Sequence, residues 1–101
     1  SGARCDTIEN MDKRKTRELE KIVRGFSNHR RIEIMSLLNR EPELSVIEIA
    51  DELGINFKTA SEHIRRLAQA GLVLKRNEGA AVRHILSRRG AFTLKFLRTL
   101  E

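Results

Sequence analysis

Tryptophan and tyrosine are absent, and phenylalanine occurs only four times in 101 residues. Surfaces that stack single-stranded bases want exposed aromatic rings, so that mode of binding is disfavoured. Cys5 is the only cysteine, which excludes a disulfide framework and suggests an unpaired thiol in a reducing cytoplasm. No apolar run approaches the roughly 18 residues that a membrane-spanning helix needs. The opening Ser1-Gly2-Ala3-Arg4-Cys5-Asp6 lacks the hydrophobic region of a signal peptide. Ser1-Gly2 without a methionine reads as a vector remnant, so residues 1–7 carry little of the argument. No Ser/His/Asp or Cys/His spacing suggests nucleophilic catalysis, and the isolated glycines form no phosphate-cradling loop. An enzyme is therefore not expected, and no cofactor is implied.

Positive charge is abundant. Lys and Arg number 20 against 14 Asp and Glu, a formal charge of +6. Residues 41–53 carry five acids and no base, whereas residues 54–76 carry five bases against Glu62 alone. Such asymmetry marks one face for a polyanion, although a solvated basic surface would look the same. Fourteen of the 20 bases are arginine, whose planar fork suits phosphate and base edges.

The chain reads as one domain. Ile8, Met11, Leu19, Ile22, Val23 and Phe26 recur at helical spacing, predicting a helix from Thr7 or Asp12 to Arg24 that Gly25 ends. Ser27 is a candidate cap for a second helix to Asn39. Its Ile32, Ile34, Met35, Leu37 and Leu38 cover more than half the cylinder, as in a buried central helix. Pro42 breaks the chain in a short acidic loop. Ser45-Val46-Ile47-Glu48 forms a capping-box pattern, and Val46, Ile49, Ala50 and Leu53 share the face of the short helix it opens. Asn56 can cap the next helix, to Ala70, with Phe57, Ala60, Ile64, Leu67 and Ala68 pointing inward. After Gly71 the period changes to that of strands, Leu72–Arg76 and Ala81–Leu86, joined by a loop at Asn77–Ala80. A last helix, Ala91–Leu100, follows Gly90. The expected fold is mainly α with a small β-hairpin, in the order α-α-α-α-β-β-α.

A short helix, a tight turn at Gly54-Ile55-Asn56 and a longer helix make a helix-turn-helix. Ala50 has to be small where the helices cross, and Ile55 plugs the space between them. The opposite ridge offers Lys58, Glu62, Arg65 and Gln69, flanked by Asn56, Thr59, Ser61 and Arg66. Each can bond a base edge or a phosphate, and an α-helix fits the major groove. A bland reading is a solvated ridge with a Lys58–Glu62–Arg65 charge ladder. The basic hairpin that follows favours the functional reading, because Arg76 and Arg83 on such a wing can reach phosphates or the minor groove. His63 is expected at the edge of the inward face, His29 on the surface, and His84 beside Arg83 on a strand.

Gly25-Phe26-Ser27-Asn28-His29-Arg30-Arg31-Ile32-Glu33-Ile34-Met35 resembles the L-x-D-P-x-R-L-x-I-L opening of the arsenic-repressor (ArsR) family of winged-helix regulators. Asn28-His29 stands where that pattern has Asp-Pro. Ser61-Glu62-His63-Ile64-Arg65-Arg66-Leu67-Ala68-Gln69-Ala70-Gly71-Leu72-Val73 is similar to the family's S-x-H-L-x-x-L-x-x-A-G-L-V, and the likeness extends over residues 15–100. MarR-type families share parts of both. The resemblance implies a homodimeric, cytoplasmic transcriptional regulator, usually a repressor. Its longer motif helix would lie in the major groove and its terminal helices would form the dimer interface. Residues 1–26 and 88–101 would then be dimerisation helices around a winged-helix core at 27–87. Leu19, Ile22, Phe92, Phe96, Leu97 and Leu100 are the expected interface residues. Metal-sensing members carry a Cys-x-Cys pair where this chain has Ser45 and Ile47, and others place His and acidic ligands on a last helix that here has neither. No metal site is expected, and no effector is legible; Cys5 with a distant His is the remaining thiolate option. The expected partners are double-stranded DNA and a second copy of the chain, with no membrane. A winged-helix protein-interaction module, or a non-specific chromatin-type or RNA-binding protein, is the alternative.

Overall fold

Each helix begins on a side chain that takes up free backbone N–H groups. The Asp12 carboxylate accepts from Lys15 N at 2.8 Å, Asn28 Oδ1 from Arg30 N at 2.9 Å, and Asn56 Oδ1 from Lys58 N at 2.6 Å. Ser87 Oγ accepts from Gly90 N at 3.0 Å. Ser45 and Glu48 close a reciprocal capping box at 3.3 and 2.8 Å. Caps of this kind contribute about 1 kcal/mol each. In the computed structural model, which describes residues 11–101, they open α1 (Lys13–Phe26), α2 (His29–Arg40), α3 (Val46–Leu53), α4 (Phe57–Gln69) and α5 (Arg88–Arg98). The antiparallel strands β1 (Val73–Glu78) and β2 (Ala81–Leu86) lie between α4 and α5. The expected order is the observed one. Cys5 and Ile8 lie outside the described residues.

Ile34, Met35, Leu37 and Leu38 of α2 are fully buried, and α2 is the central helix. Ile49 of α3, Ile64 and Leu67 of α4, Leu72, Val73 and Leu94 of α5 close around it. Among the described residues no helix is long and apolar enough to cross a membrane.

Several boundaries differ from expectation, each for a physical reason. Asn28, not Ser27, caps α2, because its amide oxygen reaches two backbone N–H groups. Gly25 does not end α1. It lies inside the helix where α1 crosses α4, and a Cβ there would sit 2.4 Å from Ala70 Cβ. Gly90 is likewise inside α5, pressed on the Leu72 carbonyl, so the helix starts three residues earlier than Ala91 and stops at Arg98. Asn77 and Glu78 extend β1 and leave a two-residue turn, Gly79-Ala80. Phe57 does not point inward. As the first residue of α4 it overhangs the core edge and is 54% exposed.

Candidate nucleic-acid interface

Gly54 takes a left-handed backbone, φ 65°, which turns the chain between α3 and α4 without a side-chain penalty. Ile55 N then donates to Ala50 O at 3.0 Å and holds the turn shut. Ala50 is buried, and Ala60 and Ile64 pack α4 onto the core. That packing fixes which ridge of α4 faces out. Asn56, Lys58, Thr59, Ser61, Glu62, Arg65, Arg66 and Gln69 are all exposed along it. Asn56 commits its oxygen to the cap, which leaves its NH2 free as a donor.

The charge pattern on the ridge differs from the expected ladder. Glu62 turns toward the helix C-terminus. It accepts from Arg65 Nε at 3.1 Å and Nη2 at 2.5 Å, and from Arg66 Nε at 3.0 Å. These bonds, Arg65's first, hold its carboxyl down at about 2. Lys58 is outside the cluster and has no carboxylate partner among the described residues. The ridge thus presents a free ammonium near its N-terminal end and a preorganised Arg–Glu–Arg group one turn on.

On the hairpin, Arg76 and Arg83 stand directly opposite one another. Like charges in that register repel, and acidic groups relieve them. Arg76 donates to Glu43 Oε1 through Nη2 at 2.7 Å and Nε at 3.2 Å, and to Glu78 at 3.5 Å. Arg83 Nη1 reaches Glu43 O and Glu48 Oε1, both at 3.3 Å. The acidic block of residues 41–53 therefore folds back onto the wing. Lys75, not singled out from the sequence, is the exposed wing cation with no carboxylate partner among the described residues. It pairs with His84 across the hairpin, and the ion pairs made by Arg76 and Arg83 are what single it out.

Two of the three histidines are tied into the fold. His84 is buried, with Nδ1 2.8 Å from Leu44 O, and it pins the acidic loop to β2. Burial pushes its imidazole below the ordinary value and Lys75 adds to that; the Leu44 bond opposes them. His63 Nδ1 accepts from Arg31 Nε at 3.3 Å, and it too is depressed, by burial first and Arg31 second. His29 is exposed.

A cavity of about 560 Å³ between α1 and the end of α4 is lined by Lys21, Arg24, Arg31, Arg66 and Arg89. Two helix C-termini meet there, and cations complement their carbonyls. Arg31 Nη1 donates to Arg24 O and Gly25 O at 3.0 and 3.1 Å, and Arg89 Nη1 to Ala70 O at 3.4 Å.

The expected interface residues lie on the outside. Phe92, Phe96 and Leu100 are 69%, 59% and 65% exposed, and Leu19 is exposed too. Ile22 and Leu97 are half-buried. Leu94 is the one apolar α5 side chain fully in the core. At the positions of the metal-sensing Cys-x-Cys pair, the Ser45 hydroxyl serves the cap and Ile47 faces solvent. Among the described residues no three His, Cys, Asp or Glu side chains gather as a metal site.

A helix-turn-helix followed by a hairpin wing and a terminal helix is a winged-helix arrangement, and residues 28–75 match the profile of the bacterial regulatory protein, arsR family. The chain has the winged helix-turn-helix fold and is similar to that family over those residues. It is 30% identical over 78 residues to the cadmium resistance transcriptional regulatory protein CadC homolog of Staphylococcus aureus, covering 77% of this chain and 64% of that regulator. The chain thus spans under two thirds of that relative's length. It superposes with a TM-score of 0.78 and 26% identity on the homodimeric winged helix-turn-helix DNA-binding domain of a possible ArsR-family transcriptional regulator from Mycobacterium bovis, covering 92% of this chain and 89% of that one. HlyU from Vibrio cholerae gives a TM-score of 0.75 at 28% identity, over 89% of this chain and 97% of HlyU. The family is one of regulatory proteins and not of enzymes.

Proposed function

We propose that this chain is a sequence-specific, double-stranded DNA-binding transcriptional repressor that works as a homodimer in the cytoplasm. The observation that carries the reading is the α4 ridge. Packing of Ala60 and Ile64 leaves Lys58, Ser61, Glu62 and Arg65 exposed on one helix face with a hairpin beside it. Those four side chains are the base-reading set. Asn56, Thr59 and Arg66 hold the backbone around them, and Arg76 and Arg83 of the wing approach phosphates or the minor groove. Residues 27–87 form the reading core. Residues 1–26 and 88–101 join two protomers through Leu19, Ile22, Phe92, Phe96, Leu97 and Leu100. An exposed Phe92–Phe96–Leu100 face is wide for a lone domain of this size, and a two-fold partner would cover it.

The test begins with selection of bound fragments from randomised DNA. The selected duplex and a scrambled one are then titrated at several salt concentrations. Lys58→Ala or Arg65→Ala should cost about 1–3 kcal/mol per half-site on the selected duplex and little on the scrambled one. Arg76→Ala should weaken both alike, since phosphate contacts carry no sequence information. Equal losses on both duplexes for Lys58 and Arg65 variants would refute base reading and favour non-specific binding. Absence of binding to either duplex near 0.1 M salt would favour a protein-interaction module.

A further inference from the structure

The wing arginines are occupied in the free protein. Arg76 gives two N–H groups to one Glu43 oxygen, at 2.7 and 3.2 Å, and Arg83 is shared among Glu43 O, Glu48 and Glu78. A guanidinium binds a carboxylate and a phosphate through the same donors. Both cannot hold Arg76 in the same way at once.

The loop that supplies the carboxylates is built into the fold. Leu44 and His84 form an isolated antiparallel bridge, with Glu43 N donating to His84 O and His84 N to Leu44 O, both at 2.9 Å. His84 Nδ1 adds a third link to Leu44 O. Glu48 lies in the capping box of α3 and also touches Arg83, so it joins the start of the helix-turn-helix to the wing. Glu43 is the non-glycine with a left-handed backbone among the described residues, φ 72°. A long side chain is uncommon in that conformation and costs about 1 kcal/mol or more there. Glycine or asparagine would hold the turn with less strain. A glutamate at that point is accounted for by what its carboxylate does, which is to face Arg76.

We propose that the Glu43 carboxylate is an internal stand-in for DNA phosphate: it positions Arg76 for the backbone, and phosphate must displace it when the wing engages. This rests on the DNA-binding reading given above. On such a wing Lys75 is the cation ready at first encounter, and the arginines follow by exchange. Glu43 then sets how strongly and how salt-dependently the wing holds DNA, without bearing on which sequence is chosen. Swapping one anionic partner for another also blunts the counterion release that an unpaired arginine would give.

The experiment uses the full chain with the selected and scrambled duplexes across a salt series. Glu43→Gln should raise affinity for both duplexes alike, by about threefold per protomer, the scale of an exposed ion pair. It should steepen the salt slope by up to about 0.9 per protomer, because Arg76 then keeps only its longer 3.5 Å contact with Glu78. Glu43→Gly, which relieves the left-handed backbone, should do the same, so a folding defect in the Gln variant leaves the question open to a direct answer. The gain should vanish in an Arg76→Ala background. Glu52→Gln, an exposed acid of the same block outside these pairs, should give a smaller gain. Unchanged affinity and slope in both Glu43 variants would overturn the inference. So would a gain that survives Arg76→Ala or is matched by Glu52→Gln, either of which is a plain net-charge effect. Failure of the wild-type chain to bind either duplex is a separate result, and sinks the DNA-binding reading itself.

Discussion

Gly90 offers a test in which two opposing effects are of known size. It lies inside the first turn of α5, where alanine ordinarily gains up to about 1 kcal/mol over glycine. A Cβ added there would stand 2.2 Å from Leu72 O and 3.0 Å from Leu86 Cδ2. The first contact is with backbone, about 1 Å inside an ordinary contact distance, so no side-chain rotation relieves it. The helix has to move instead. Leu72 O also accepts from Ser87 N at 3.0 Å, and the Ser87 hydroxyl donates to Gly71 O while capping α5. Overpacking of this kind costs about 1–3 kcal/mol, and loss of one buried hydrogen bond adds about 1–3 kcal/mol. Against a propensity gain of about 1 kcal/mol, Gly90→Ala should destabilise the fold by about 3 kcal/mol. For a domain of this size that lowers the melting temperature by roughly 15 °C. Gly54→Ala is the control. Its φ is 65°, but no atom lies within 4 Å, so it should cost only backbone strain, about 1 kcal/mol. Thermal unfolding followed by circular dichroism, with sedimentation of the same samples, separates the two. Gly90→Ala should be the worse of the pair and should also weaken self-association, because displaced α5 carries the Phe92–Phe96 face. A Gly90→Ala protein that melts at or above the wild-type temperature would show that helix propensity wins and that α5 does not press on Leu72.

Four further outcomes are expected. If Glu62 accepts a bond from a cytosine amine, Glu62→Ala should raise binding to scrambled DNA and lower it on the selected duplex; a rise on both would make Glu62 only a tether for Arg65 and Arg66. Phe96→Asp, at a side chain 59% exposed in the protomer, should leave the fold intact and shift sedimentation toward monomer at tens of micromolar, and an unshifted dimer would remove α5 from the interface. Burial holds His84 and His63 below the ordinary histidine value of about 6.5, so the unfolded chain binds more protons as pH falls through that value. Stability should therefore be fully present above about pH 6.5 and decline toward pH 5, whereas a melting temperature flat over that range would refute it. Added or chelated zinc or arsenite should leave DNA affinity unchanged, and tight stoichiometric metal in a Cys5→Ser protein would reveal a ligand set outside Cys5.

Legibility in the sequence followed the range of the interaction. The caps at Asn56 and Ser45 and the left-handed turn at Gly54 act within three or four residues, so the helix-turn-helix was readable from spacing alone. Gly25 and Gly90 show the limit of that reading. A glycine signals either a turn or a close approach, and what decides here is Ala70 against Gly25 and the Leu72 carbonyl against Gly90, 45 and 18 positions away in the chain. Phe57 was misplaced for a related reason: its angular position is that of Ile64, but the core ends before the first turn of α4 does. The wing carries the most consequence. The sequence displays an acidic block and a basic hairpin as separate features, and treating them separately leaves Arg76 and Arg83 free for phosphate. Glu43 and Arg76 are 33 positions apart, and they meet because the Leu44–His84 bridge lays the loop along β2. Net charge therefore overstates what the wing offers to DNA. On the DNA-binding proposal, the cations that count are those left over after the fold has made its own ion pairs, Lys58 on α4 and Lys75 on the wing, and the arginines would join them only where phosphate outcompetes a carboxylate already in place.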